Sequence, residues 1–100
     1  MLGTWNTVVQ TPFAKMKFVF VVEKEDQYTF SVKEPAQLNM LFQSVKVEGE
    51  QLHAKGKYIL LLEEAAEITL TFREDSFNGS LNLHSLGNLQ IQGEKGEGTH

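Results

Sequence analysis

The stretch Glu67-Ile68-Thr69-Leu70-Thr71-Phe72-Arg73-Glu74-Asp75-Ser76-Phe77-Asn78-Gly79-Ser80-Leu81-Asn82-Leu83-His84 decides the fold. Ile68, Leu70 and Phe72 alternate with Thr69, Thr71 and Arg73. After Glu74-Asp75-Ser76, Phe77, Leu81 and Leu83 alternate with Asn78, Ser80 and Asn82. Successive side chains of a strand point to opposite faces, so a period of two marks strands with one buried face. The two runs therefore predict an antiparallel hairpin.

The same period extends in both directions. Met16, Phe18, Phe20 and Val22 alternate with Lys15, Lys17, Val19 and Val21, and Tyr28, Phe30 and Val32 with Thr29, Ser31 and Lys33. Turn signals separate the runs at Thr11-Pro12-Phe13-Ala14, Lys24-Glu25-Asp26, Glu34-Pro35-Ala36-Gln37, Val47-Glu48-Gly49-Glu50 and around Gly87. Strands are expected near 3–11, 15–23, 27–33, 43–48, 51–58, 67–73, 77–84 and 88–95. Eight short strands with regular turns predict an all-β, eight-stranded antiparallel meander barrel, with a sandwich as the other closed solution. Two segments are open to a second reading. Glu34–Met40 reads as one helical turn or a loose loop. Lys57–Ala66 contains good helix formers, but a strand to about Leu62 and a turn over Glu63–Ala66 fits the meander better. Gly3-Thr4-Trp5-Asn6 and Gly79-Ser80-Leu81-Asn82 form a weak internal echo, and each Gly would permit close backbone approach at a barrel corner.

At 100 residues the chain is one domain of ordinary size. Residues 1–96 read as the barrel and 97–100 as a flexible tail, with Thr99-His100 as candidates for vector-derived residues. Nine basic and 13 acidic residues give a net charge of −4, with Arg73 the only arginine. No nucleic-acid partner is expected, because phosphate contacts need clustered Lys and Arg. Without cysteine there is no disulfide, thiolate metal site or thiol nucleophile. No apolar run approaches the ~20 residues of a membrane-spanning helix. No signal peptide is seen at the start, and the chain reads as soluble, cytoplasmic rather than secreted.

Gly3-Thr4-Trp5-Asn6, Thr11-Pro12, Lys46-Val47-Glu48-Gly49-Glu50, Asn78-Gly79-Ser80-Leu81-Asn82-Leu83 and Leu86-Gly87-Asn88-Leu89-Gln90-Ile91-Gln92-Gly93 together resemble small bacterial lipocalin-like β-barrel domains of unknown function. The Gly-x-Trp opening is also similar to that of the wider calycin group. The resemblance implies that Trp5 plugs one barrel end. The Arg that packs on this Trp in calycins has no counterpart after residue 73, and Ala14 stands where the first turn carries Gly.

With Trp5 inward, Thr7, Val9, Met16, Phe18, Phe20, Tyr28, Phe30, Val32, Val45, Val47, Leu52, Ala54, Tyr58, Leu70 and Phe72 share its face. An eight-stranded barrel is either filled by such side chains or holds one small ligand. The expected function is non-enzymatic binding of a small apolar or weakly polar molecule. Phe18, Phe20, Tyr28, Phe30, Tyr58, Leu70 and Phe72 form the expected lining, and Thr7, Tyr28, Gln43 and Tyr58 are its polar handles. No cation faces inward, so a neutral ligand is expected over a carboxylate. One alternative is a small barrel enzyme of cyclase, isomerase or lyase type, with Tyr28, Tyr58 or His53 as acid or base. The other is a solid-core interaction module.

No metal site or cofactor is expected. His53, His84 and His100 lack ligand spacing, and Glu63-Glu64 and Glu74-Asp75 read as solvated turns. Val8, Val19, Val21, Phe42, Ile59 and Leu61 fall in the outward register, so a homodimer through Val19 and Val21 is expected.

Overall fold

In the computed structural model, which describes residues 1–34, 39–59, 63–84 and 87–96, the alternating runs form eight strands. These are β1 (Gly3–Gln10), β2 (Lys15–Lys24), β3 (Tyr28–Glu34), β4 (Asn39–Glu48), β5 (Gln51–Ile59), β6 (Glu63–Arg73), β7 (Ser76–Leu83) and β8 (Gly87–Lys95). All pairs are antiparallel, in the order β3-β2-β1-β8-β7-β6-β5-β4. β1 and β8 pair from Trp5 opposite Lys95 to Gln10 opposite Gln90, which joins the two ends of the chain. The result is a nearly closed meander barrel. Its one gap in the ladder lies between β3 and β4, which are the two edges of the sheet. The described residues contain no helix, so none is long and apolar enough to cross a membrane.

Two strands begin earlier than the sequence suggests. β4 starts at Asn39 rather than 43, so Asn39 and Met40 lie in a strand rather than a helical turn. β6 starts at Glu63, so Glu63–Ala66 is not a turn: Glu63 pairs with Ile59 and Ala66 with Gly56. The cross-strand partner on β5 outweighs local helix propensity there. The connections at 35–38, 60–62 and 85–86, and residues 97–100, lie outside the described residues.

Among the described residues the inward face is apolar apart from Thr7. Trp5, Val9, Phe18, Phe20, Val22, Leu52, Ile68, Leu70, Phe72, Phe77, Leu81 and Ile91 are buried in one cluster. Thr7 is the buried polar side chain on this face, and its hydroxyl donates to the Trp5 carbonyl at 3.2 Å. Trp5 makes edge contacts with Phe72 and Phe77 at ring-centroid distances of 4.9 and 5.6 Å. Its indole N–H donates to the Met1 carbonyl at 2.8 Å, so the polar end of the ring is satisfied as it is buried. Met16 is in the inward register but 44% exposed, because the β2–β3 ladder runs only from Lys24 to Val19 and leaves the Met16 end of β2 without a β3 neighbour.

Gly49 and Gly79 are among the glycines that the geometry requires. Gly49 has φ 60° in the two-residue turn joining β4 and β5, a backbone region that side chains resist. At Gly79 a Cβ would sit on the Thr69 carbonyl. The absence of a side chain therefore lets β7 approach β6 closely, as expected at a barrel corner.

Candidate functional site at the seam between β3 and β4

Both edge strands carry one extra residue. Along β2–β3, Val19 pairs with Glu34 and Phe20 with Val32, so Lys33 is unpaired. Along β4–β5, Phe42 pairs with Gly56 and Ser44 with Lys55, so Gln43 is unpaired. Bulges of this kind twist an edge away from further pairing, and a charged bulge residue such as Lys33 adds to the effect. This is the physical reason the barrel is left with a seam here instead of an eighth ladder.

The bulge at Gln43 also changes which side chains face inward. Val45 and Val47 point in on one side of it, and Phe42 points in on the other. A single uninterrupted register put Phe42 outside and Gln43 inside. The structure reverses both. Phe42 packs against the core, and Gln43 is exposed and is no interior handle.

Tyr28, Val32, Phe42, Val45 and Val47 are the partly buried apolar residues of the seam. The first two line its β3 wall and the other three its β4 wall. The Phe30 ring meets Phe42 edge-on across the gap, at 4.9 Å between centroids and 89° between planes. Closure here rests on side-chain packing without a backbone ladder. Lys24 Nζ stands 4.9 Å from the centre of the Tyr28 ring at the end of the strip, within the range of a cation–π contact.

Six of the seven expected lining residues have described side chains, and all six face inward. Phe18, Phe20 and Phe30 form a chain of edge contacts leading from the β3 wall, at 6.1 and 4.9 Å. Tyr28 is half-buried at the seam. Leu70 and Phe72 lie on β6, and Phe72 packs on Trp5 and Phe77. Tyr58 is on β5 opposite Met40 and Glu64, but its side chain lies outside what is described. Phe42 is the wall residue the sequence reading missed, and nothing in the alternation signals a bulge.

His53 and Tyr28 do not share a face. His53 points outward on β5, where its Nδ1 is 3.3 Å from the Thr69 hydroxyl. Among the described residues no three His, Asp or Glu side chains are grouped to hold a metal ion. Val8, Val19 and Val21 face outward but are half-buried between their neighbours. Ile59 lies on β5 without a described side chain, and Leu61 falls outside the described residues.

Comparison with family models, with curated proteins and with solved structures found no match.

Proposed function

We propose that this chain is a non-enzymatic binding module that takes a small apolar or weakly polar molecule at the β3–β4 seam. The observation that carries the reading is the coincidence of three features on one line: the missing ladder, the two bulges and the half-buried apolar side chains. A guest that wedges β3 from β4 breaks side-chain contacts but no backbone hydrogen bonds. Its apolar body would lie against Phe30, Val32, Phe42 and Val45, with Phe18 and Phe20 behind them. Its polar end would meet the Tyr28 hydroxyl. Leu70 and Phe72 back the interior from the far wall. The strand order supports the resemblance to bacterial lipocalin-like domains, and the proposed way in is lateral, between β3 and β4, where Phe30 and Phe42 pack across the gap. A homodimer through Val19 and Val21 on the outer face of β2 belongs to the same proposal.

A second reading, a solid-core interaction module, is favoured by the near-zero exposure of Trp5, Phe20, Leu52 and Leu70. A ligand-sized hollow would leave its lining open to a water-sized sphere, and these side chains are not open. Titration with the neutral dye Nile red separates the two. Binding near 1 μM, about −8 kcal/mol, is expected, with neutral terpenoids competing better than fatty acids. Val45→Glu should weaken it at least tenfold, because it places an unpaired charge in the wedge. No dye binding by a folded chain would leave the interaction module.

A further inference from the structure

From Ser76 to Gly93 the sequence contains no Asp, Glu, Lys or Arg, although 22% of the chain is charged. The registers lay the outward side chains of this stretch into rows with those of the neighbouring strands. One row runs Thr71, Asn78, Gln92, Val8 across β6, β7, β8 and β1. The next runs Thr69, Ser80, Gln90, Gln10. A protein surface normally mixes both signs of charge throughout, so two adjacent uncharged rows on four strands are a distinct chemical patch. The side chains of Asn78, Gln90 and Gln92 make no hydrogen bond to another described residue.

The patch is a trough rather than a flat sheet face. One lobe of about 780 Å³ and a second of about 380 Å³ share Val8, Asn78 and Gln92 in their walls. The larger lobe is within the range of small-ligand sites. Charges occur only towards the margins and in both signs, with Lys17, Glu34 and Glu94 around the larger lobe and Lys15 at the smaller.

We infer that this trough is a second binding site, on the outer face of β1, β8 and β7, for a neutral polyhydroxylated chain such as an oligosaccharide. Each side-chain amide offers two donors and an acceptor, which suits ligands whose hydroxyls both donate and accept. Half-buried Val8 supplies an apolar floor for the C–H face of a sugar ring. A polyanion would need clustered cations, whereas each row meets a single one, Lys17 or Lys15, only where it runs on to β2. An apolar ligand would cover the amides without pairing them, at a cost of about 1–3 kcal/mol for each group. The site is on the opposite side of the sheet from the barrel interior; Val19 and Glu34 also line its larger lobe, so a dimer through Val19 and Val21 would compete with it.

The test uses ¹⁵N-labelled full-length chain and follows the side-chain NH₂ signals of Asn and Gln by NMR. The probes are cellohexaose, maltohexaose and chitohexaose, with a sulfated hexasaccharide as the charged comparison. At least one neutral probe should shift the Asn78, Gln90 and Gln92 signals in a saturable way. Gln92→Ala and Asn78→Ala should each weaken that binding tenfold or more, while Ser31→Ala, on β3 and outside the walls of both lobes, leaves it unchanged. These residues are exposed, so the variants retain the fold, verified by their backbone spectra. No shift with any neutral probe at about 10 mM, shifts confined to other residues, or tighter binding of the sulfated probe would each overturn the assignment.

Discussion

Replacing Trp5 by Ala removes the side chain around which the barrel base is assembled. The ring is fully buried, and its loss strips Phe72 and Phe77 of their edge contacts and the Met1 carbonyl of its donor. Truncation of a large buried aromatic costs about 3–5 kcal/mol in transfer and cavity terms. The hydrogen bond adds at most ~1 kcal/mol, because water can reach the freed carbonyl near the chain end. A loss of roughly 4 kcal/mol is therefore expected, a large part of the ~5–15 kcal/mol that holds a typical domain folded. For a domain of this size it corresponds to a fall in Tm on the order of 20 °C. Urea unfolding followed by far-UV circular dichroism measures it, since Trp5 is the only tryptophan and fluorescence is lost with it. Should Trp5→Ala fail to fold, Trp5→Phe retains most of the packing and should lose about 1–2 kcal/mol. A loss below ~1.5 kcal/mol for the Ala variant would refute the placement of Trp5 at the centre of the core.

Gly79→Ala should cost at least ~2 kcal/mol, or prevent folding, because its Cβ meets the Thr69 carbonyl; thermal unfolding measures it. Glu74 has φ 45° in the β6–β7 turn, so Glu74→Gly should stabilise by roughly 0.5 kcal/mol, the relief of left-handed strain exceeding glycine's added chain entropy; equal or lower stability would contradict the turn geometry. Val19→Lys together with Val21→Lys should convert the proposed dimer to monomer with strand content intact, by sedimentation equilibrium; a parent chain that is already monomeric at high concentration removes the dimer.

The strands were legible because one face of each is buried, and burial imposes the period of two that a sequence displays. Trp5, Phe18, Phe20, Phe30, Leu70 and Phe72 were placed inward on that basis, and they are inward. The seam was not legible. It depends on two single-residue bulges, at Lys33 and Gln43, and a bulge shifts the register without leaving a composition signal. That is why Phe42 and Gln43 exchange faces relative to a continuous alternation. Glu63–Ala66 misled for a different reason: its residues carry no alternation and read as a turn, while the strand is set by partners on β5 from Ile59 to Gly56. The polar trough was present in the sequence as an uncharged stretch, but its rows exist only once the registers of β6, β7, β8 and β1 are known.

The central claim, a ligand site at the β3–β4 seam, is tested most directly by NMR mapping of a neutral apolar probe on the side chains. On adding Nile red, the signals of Tyr28, Val32, Phe42, Val45 and Val47 should shift together and saturate with the affinity measured by fluorescence, while Leu81 and Ile91 on the far wall stay fixed. Unchanged seam signals in the presence of bound dye, or shifts centred on β7 and β8, would contradict the account.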